Sequence, residues 1–187
     1  MSRLARRSFI RSVAFLPTLL VPGMAQATLL RGLSLRELTQ SSQHVLLLTP
    51  LVARCTKGTL GGRPLIVTET SARIDDSIEK SAPGGSTVVV RTLGGVLNGA
   101  GLLVHGQAEL TIGASCVAFL TPGSDGSLWV TGMAQGHFPL ESDASKLYLS
   151  KSPRLPELVD FEHSGVRALV GRELSDARRL VHEASAR

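Results

Sequence analysis

The chain has little of what usually announces a function. Two cysteines among 187 residues exclude a disulfide scaffold. Nineteen glycines without a period exclude a collagen-like chain. No run of about 18 apolar residues occurs, so no segment reads as a transmembrane helix. Aromatic residues make up only 4%, with one Trp and one Tyr. No acid precedes Glu37, and Arg3, Arg6, Arg7 and Arg11 crowd the first eleven residues. What is present is Leu, Val and Ile in plenty, which excludes a disordered chain.

The unopposed arginines form the start of an export signal. After them comes the apolar stretch Val13 to Val21, and then Ala25-Gln26-Ala27, small residues at the positions a signal peptidase reads. Nine helical residues span about 14 Å, short of a bilayer core of about 30 Å. Within the basic region, Arg6-Arg7-Ser8-Phe9-Ile10-Arg11 resembles the twin-arginine (Tat) export motif, with Arg6, Arg7, Phe9 and Ile10 as its signature. Such signals are addresses read by a receptor. The expectation is a signal over 1–27, cleaved after Ala27 to leave Thr28 first, and a periplasmic or secreted product.

The signal carries the basicity. The whole chain has 20 Lys and Arg against 15 Asp and Glu, but only 16 of the basic residues follow Ala27. A net charge of +1 and no basic stripe with interleaved aromatics exclude nucleic acid as the expected partner. The remaining 160 residues suffice for one core without staples.

Local patterns point to a mainly β fold. Ser34 and Glu37 form a capping box, which predicts a short helix with Leu35 and Leu38 turned inward. Val45 to Cys55 is an apolar run whose Pro50 marks a bulge or an edge. Ile66 to Ile74 alternates, with Thr68, Thr70 and Ala72 on one face and Glu69, Ser71 and Arg73 on the other. Thr87–Thr92, Ala114–Leu120 and Leu128–Met133 complete five strands. Five short strands at regular spacing and one short helix predict a small closed or partly open barrel over 28–140, since closure removes exposed edges. A C-terminal extension over 141–187 carries a helix near 175–186, and either packs on the barrel or projects from it. Val166–Val170 fits a strand or a helix equally.

A wider resemblance follows the same residues. It runs from Leu33-Ser34-Leu35-Arg36-Glu37-Leu38 through Gly94-Gly95 and Gly113-x-x-Cys116-x-x-Phe119-Leu120 to Gly132-Met133-Ala134-Gln135-Gly136-His137-Phe138. In this order the chain resembles a group of uncharacterised exported bacterial proteins with an OB-like barrel. That barrel is similar in outline to the netrin-like domain of tissue metalloproteinase inhibitors. The resemblance implies a fold and no activity. Netrin-like inhibitors begin with a zinc-reaching Cys, whereas Thr28 stands here, so inhibition is not implied.

The motifs of catalysis fail one by one. Gly94 to Gly106 breaks the G-x-G-x-x-G pattern at Val104, and no G-K-[ST] follows. Ser115 lacks the second glycine of a nucleophile elbow, since Val117 stands there. Asp75 and Asp76 are adjacent, so on a strand they point to opposite faces. No two histidines have metal-ligand spacing. No cofactor is therefore assigned.

Cys55 and Cys116 form one disulfide, as an oxidising compartment favours, or remain two buried thiols acting as small hydrophobes. Trp129 and Phe138 are core residues or a small aromatic surface. The functional expectation is a non-catalytic binding or protein-interaction module of the bacterial cell envelope. Its partner is an envelope protein or a glycan, apart from the Tat machinery that would meet the precursor. The Gly94–Gly106 loop would supply the contact through Leu102, Leu103 and Val104. A second class stays open: an exported metalloprotein or enzyme whose site draws on His105, His137 and the cysteines.

Overall fold

The computed structural model describes residues 29–60, 62–123 and 125–186. Arg6, Arg7, Phe9, Ile10, Ala25, Ala27 and Thr28, and with them the export signal, lie outside the described residues.

The fold is mainly β. Its strands are β1 (Leu30–Arg31), β2 (His44–Leu60), β3 (Arg63–Glu79), β4 (Thr87–Leu93), β5 (Gly95–Leu97), β6 (Ala100–Leu102), β7 (Cys116–Pro122), β8 (Leu128–Val130), β9 (His137–Asp143), β10 (Lys146–Leu149) and β11 (Leu158–Val159). The helices are α1 (Leu35–Gln40), α2 (Gly165–Leu169) and α3 (Leu174–Ser185). α1 starts where the capping box predicts. Glu37 N–H donates to Ser34 Oγ at 3.2 Å, and Ser34 N–H donates to Glu37 Oε2 at 2.8 Å. No described helix is long and apolar enough to cross a membrane.

Seven strands share one sheet in the order β10-β9-β7-β2-β3-β4-β8. The expected count of five is therefore corrected: β9 and β10 extend the sheet beyond β7, and β1–β11 and β5–β6 form two small separate sheets. β8 also pairs with β7, antiparallel, while it runs parallel to β4. The pairings thus lead from β7 through β2, β3, β4 and β8 back to β7. β2 and β3 are long, and their register shifts at Val45/Leu46, Leu47/Leu48 and Pro50/Val52. Such bulges bend a strand and increase its twist. Leu51 is skipped at the third shift and lies exposed, so Pro50 does mark a bulge.

Two apolar clusters fill the molecule. One joins Leu46, Leu48, Ala72, Val88, Val90, Cys116, Leu120 and Val130 on the inner faces of β2, β3, β4, β7 and β8. The other lies between the opposite face of β2, β7 and β9 and the helices, with Leu38, Val45, Phe119, Phe138, Leu169 and Val181 at its centre. Phe119 and Phe138 meet edge to face, with ring centroids 5.9 Å apart. The C-terminal extension packs here: Leu149, Leu155, Leu158, Leu169, Ala177 and Val181 are all buried in this cluster. Phe138 is therefore core. The ambiguous stretch Val166–Val170 is helix α2, capped by Ser164, whose Oγ accepts from Arg167 N–H.

Candidate functional site

The cysteine pairing is corrected first. Both thiols are free, Cys116 buried and Cys55 half-buried. Their strands are neighbours, but β7 pairs only with His44 to Leu48 of β2, and Cys116 faces Leu48. Cys55 lies seven residues further along β2, opposite Thr68. At about 3.3 Å per residue this places it far beyond the roughly 7 Å Cα separation a disulfide tolerates.

The metal-ligand candidates also stand apart. His137 is buried and its Nδ1 lies 3.0 Å from Ser152 Oγ, while His105 is exposed. Among the described residues no group of three His, Cys, Asp or Glu side chains could hold a metal ion.

The glycine-rich connection is structured. Gly94 and Gly95 take φ of +100° and +126°, and Asn98-Gly99 turns the β5–β6 hairpin with both φ positive. A Cβ at Gly95 would come within 2.5 Å of Cys55 Sγ and 2.7 Å of Thr68 Oγ1, so only glycine fits. Leu103 is exposed, but Leu102 and Val104 are half-buried and line a cavity. The three residues therefore do not form one continuous patch.

The outer face of the sheet carries a denser arrangement. Cross-strand register sets Arg54 of β2 beside Glu69 of β3, Glu69 beside Arg91 of β4, and Arg91 beside Trp129 of β8. One row thus crosses four strands. Glu69 is 8% exposed and holds both arginines. Its Oε1 accepts from Arg91 Nε at 3.0 Å and Nη2 at 2.7 Å, and its Oε2 accepts from Arg54 Nε at 3.0 Å. The Arg91 hydrogen bonds hold the Glu69 carboxyl below the usual range, and Glu69 in turn raises the Arg91 guanidinium.

The row continues into the β7–β8 turn. Arg91 Nη1 pairs with Asp125. Asp125 Oδ1 accepts from Ser127 Oγ at 2.5 Å and Ser127 N at 3.1 Å, and these bonds pull its carboxyl down to about 2. Trp129 Nε1 donates to Ser127 Oγ at 3.0 Å. The turn can close over the indole because residue 123 is glycine: a Cβ there would sit 2.7 Å from Trp129 Nε1.

Between this turn and the β2–β3 hairpin lies a groove of about 600 Å³. Arg91, Asp125 and Trp129 form one wall, and Thr56, Lys57, Thr59 and Val67 the other. Neither histidine nor cysteine is among the described residues that line it. Its acids are ionised at neutral pH and tied to arginine or serine. The arrangement offers fixed donors and acceptors, a hydroxyl-rich wall and an indole.

Sequence inspection noted Glu69 as an outward residue and Trp129 as aromatic, but missed Arg54, Arg91 and Asp125 as a set. A β-strand signal around each was visible; their alignment was not. Comparison with protein-family models, curated proteins and solved structures returned no match.

Proposed function

We propose that this chain is an exported, non-catalytic binding module of the bacterial cell envelope, built on an OB-like barrel, whose outer groove binds a glycan. The observation that carries the reading is the Arg54–Glu69–Arg91–Trp129 row and the groove above it. OB-like barrels bind oligonucleotides and oligosaccharides on the face of their second and third strands, between the loops joining strands one to two and four to five. The ring of pairings supports that barrel, with β2, β3, β4, β7 and β8 as strands one to five and the fifth parallel to the third. The groove then lies between the two loops named.

The choice of glycan rests on charge and shape. Among the described lining residues Arg91 is tied to Asp125 and to the neighbouring Glu69, which leaves Lys57 as a single further cation and not the row of cations that phosphate backbones select. Paired guanidinium and carboxylate groups are suited to sugar hydroxyls, and an indole face to the apolar face of a pyranose. The twin-arginine motif and Ala25-Gln26-Ala27 support export to a compartment where such polymers occur.

The chain has a single tryptophan, so its fluorescence reports on this groove alone. Titration with soluble peptidoglycan fragments and neutral β-linked tetrasaccharides should shift the Trp129 emission. Arg91→Ala should weaken binding about tenfold, or roughly 1.4 kcal/mol. Equal response to single-stranded DNA would overturn the glycan reading. So would an unresponsive Trp129 combined with envelope crosslinking that captures a protein through this groove.

A further inference from the structure

We infer that the distal half of β2 is a dimer interface, where a second copy of this chain pairs antiparallel, edge to edge, about a two-fold axis at Thr56. The inference stands without the glycan reading, because it concerns main-chain groups on the rim of the sheet.

β2 is 17 residues long, against about five or six for a common strand. β7 covers one of its edges only from His44 to Leu48, and Gly113 N–H then donates to Pro50 O at 2.8 Å. Past Pro50 that edge is open. The phase of the ladder decides which residues point into the opening. Gly94 N–H donates to Ile66 O at 2.8 Å, which makes Val67 and Leu93 a non-hydrogen-bonded pair. Val67 and Glu69 therefore turn their main-chain groups away from β4 and towards β2, where they face Thr56 and Arg54. Thr56 and Arg54 turn theirs to β3 in return. Ala53, Cys55, Lys57 and Thr59 alternate with them and turn theirs to the open edge. Among the described residues, none of these four has a main-chain partner on that side. Ala53, Lys57 and Thr59 are exposed, and Cys55 is half-buried.

The edge lacks the devices that usually blunt one. No proline stands between Leu51 and Arg63. The bulge lies before it, and the register with β3 runs unbroken from Val52 to Leu60. Its cations are Lys57 and Arg54, the latter tied to Glu69.

A second copy is the occupant because it closes the edge from both sides. A foreign strand laid here has an outer edge of its own, so it moves the opening without removing it. Two copies related by a two-fold satisfy each other's row. Outward residues must meet outward residues, and an axis near either end leaves most of the row unpaired. An axis at Arg54 or Lys57 sets like charges directly opposite each other, which is unfavourable. An axis at Cys55 sets Thr59 opposite Leu51, which has bulged out of the ladder. An axis at Thr56 pairs Ala53 with Thr59 and Cys55 with Lys57 in both directions, and so uses every outward group. It also sets Thr56 against Thr56, a favourable cross-strand pair. Arg54 then lies opposite Gly58, where no side chain competes for the space. The two outer grooves, each lined by Thr56 and Gly58, come to one face on either side of the axis. A pairing of this length buries less than the roughly 1,200 Å² of a standard interface, so the dimer is reversible, with a midpoint in the micromolar range.

Sedimentation velocity of the purified full chain, without glycan, reads the mass from about 1 to 500 μM, and the mass should double over that range. Lys57→Pro removes an outward N–H that β3 does not use, so the fold should stand while the dimer weakens at least tenfold. In amide exchange, raising the concentration should slow Ala53, Cys55, Lys57 and Thr59 and leave Arg54 and Thr56 as they were. Thr56→Cys, oxidised in air with a copper catalyst, should link to itself across the axis, since a non-hydrogen-bonded pair holds its Cα atoms about 4.5 Å apart. That variant decides the matter if Lys57→Pro does not fold. A single-chain mass at every concentration would overturn the interface, as would a dimer that Lys57→Pro leaves intact. A Thr56→Cys variant that fails to link, or wild type linked through Cys55, would overturn the axis.

Discussion

Protonating His137 should cost the fold about 3 kcal/mol. The ring is 2% exposed, between β9 and the segment carrying Ser152, and burial pulls its pKa from an ordinary 6.5 down to about 4. The folded state therefore resists a proton that the unfolded chain accepts. Between those two values the unfolded state binds more protons, so stability falls as pH falls. The contribution is whole above pH 6.5. It should be down by about 2 kcal/mol at pH 5 and about 3 kcal/mol at pH 4, where the loss levels off.

The control is His137→Asn, which can keep a polar atom near the Nδ1 position facing Ser152 and stays neutral throughout. The smaller side chain leaves a gap and should cost about 1–2 kcal/mol at pH 7. Because the variant has no imidazole to protonate, wild type and variant should converge near pH 5 and cross below it. Urea unfolding followed by Trp129 fluorescence, at half-unit steps from pH 7 to 4.5, measures this. Other titrating groups are common to both proteins and cancel in the difference. Parallel stability curves for the two proteins would refute the reasoning, and would mean that water or a local opening reaches the imidazole.

Two further outcomes follow from the same packing. In native protein without reductant, a thiol reagent should modify Cys55 alone, since Cys116 is 2% exposed and burial pushes its thiol up to about 12; in urea both should react, and a failure of either to react there before reduction would restore the disulfide. Glu69→Gln should lower stability by about 2 kcal/mol by leaving the Arg91 guanidinium half-paired in a protected position, whereas Arg54→Ala, at a side chain 77% exposed, should change the urea midpoint little.

Local chemistry made part of this structure legible. The Ser34–Glu37 box places α1, and the Thr–Ile alternation assigns the two faces of β3, because each signal is contained within a few residues. The β9–β10 hairpin escaped for an equally local reason. Its turn residues, Ala144 and Ser145, hold φ of +42° and +74°, values that Gly, Asn or Asp would have advertised. The β1–β11 pair is two residues long and joins positions far apart in the chain, so no local pattern announces it.

The cross-strand row beside the groove was illegible for a different reason, which is register. Arg54, Glu69 and Arg91 come from three strands, and their alignment depends on how many residues β2 and β3 each skip along their pairing. Three shifts precede Arg54 in its pairing with β3. A strand turns every side chain to the other face when it slips by one residue. Had Leu51 not bulged out, Ala53 or Cys55 would stand opposite Glu69's face and Arg54 would point inward, where a guanidinium has no partner. The bulge at Pro50 and the carboxylate at Glu69 therefore specify the same register from two directions: one through backbone geometry, the other through the cost of burying an unpaired charge. The cysteines show the converse. Adjacent strands bring two residues together only when the register agrees, and nothing in the spacing of Cys55 and Cys116 carries that information.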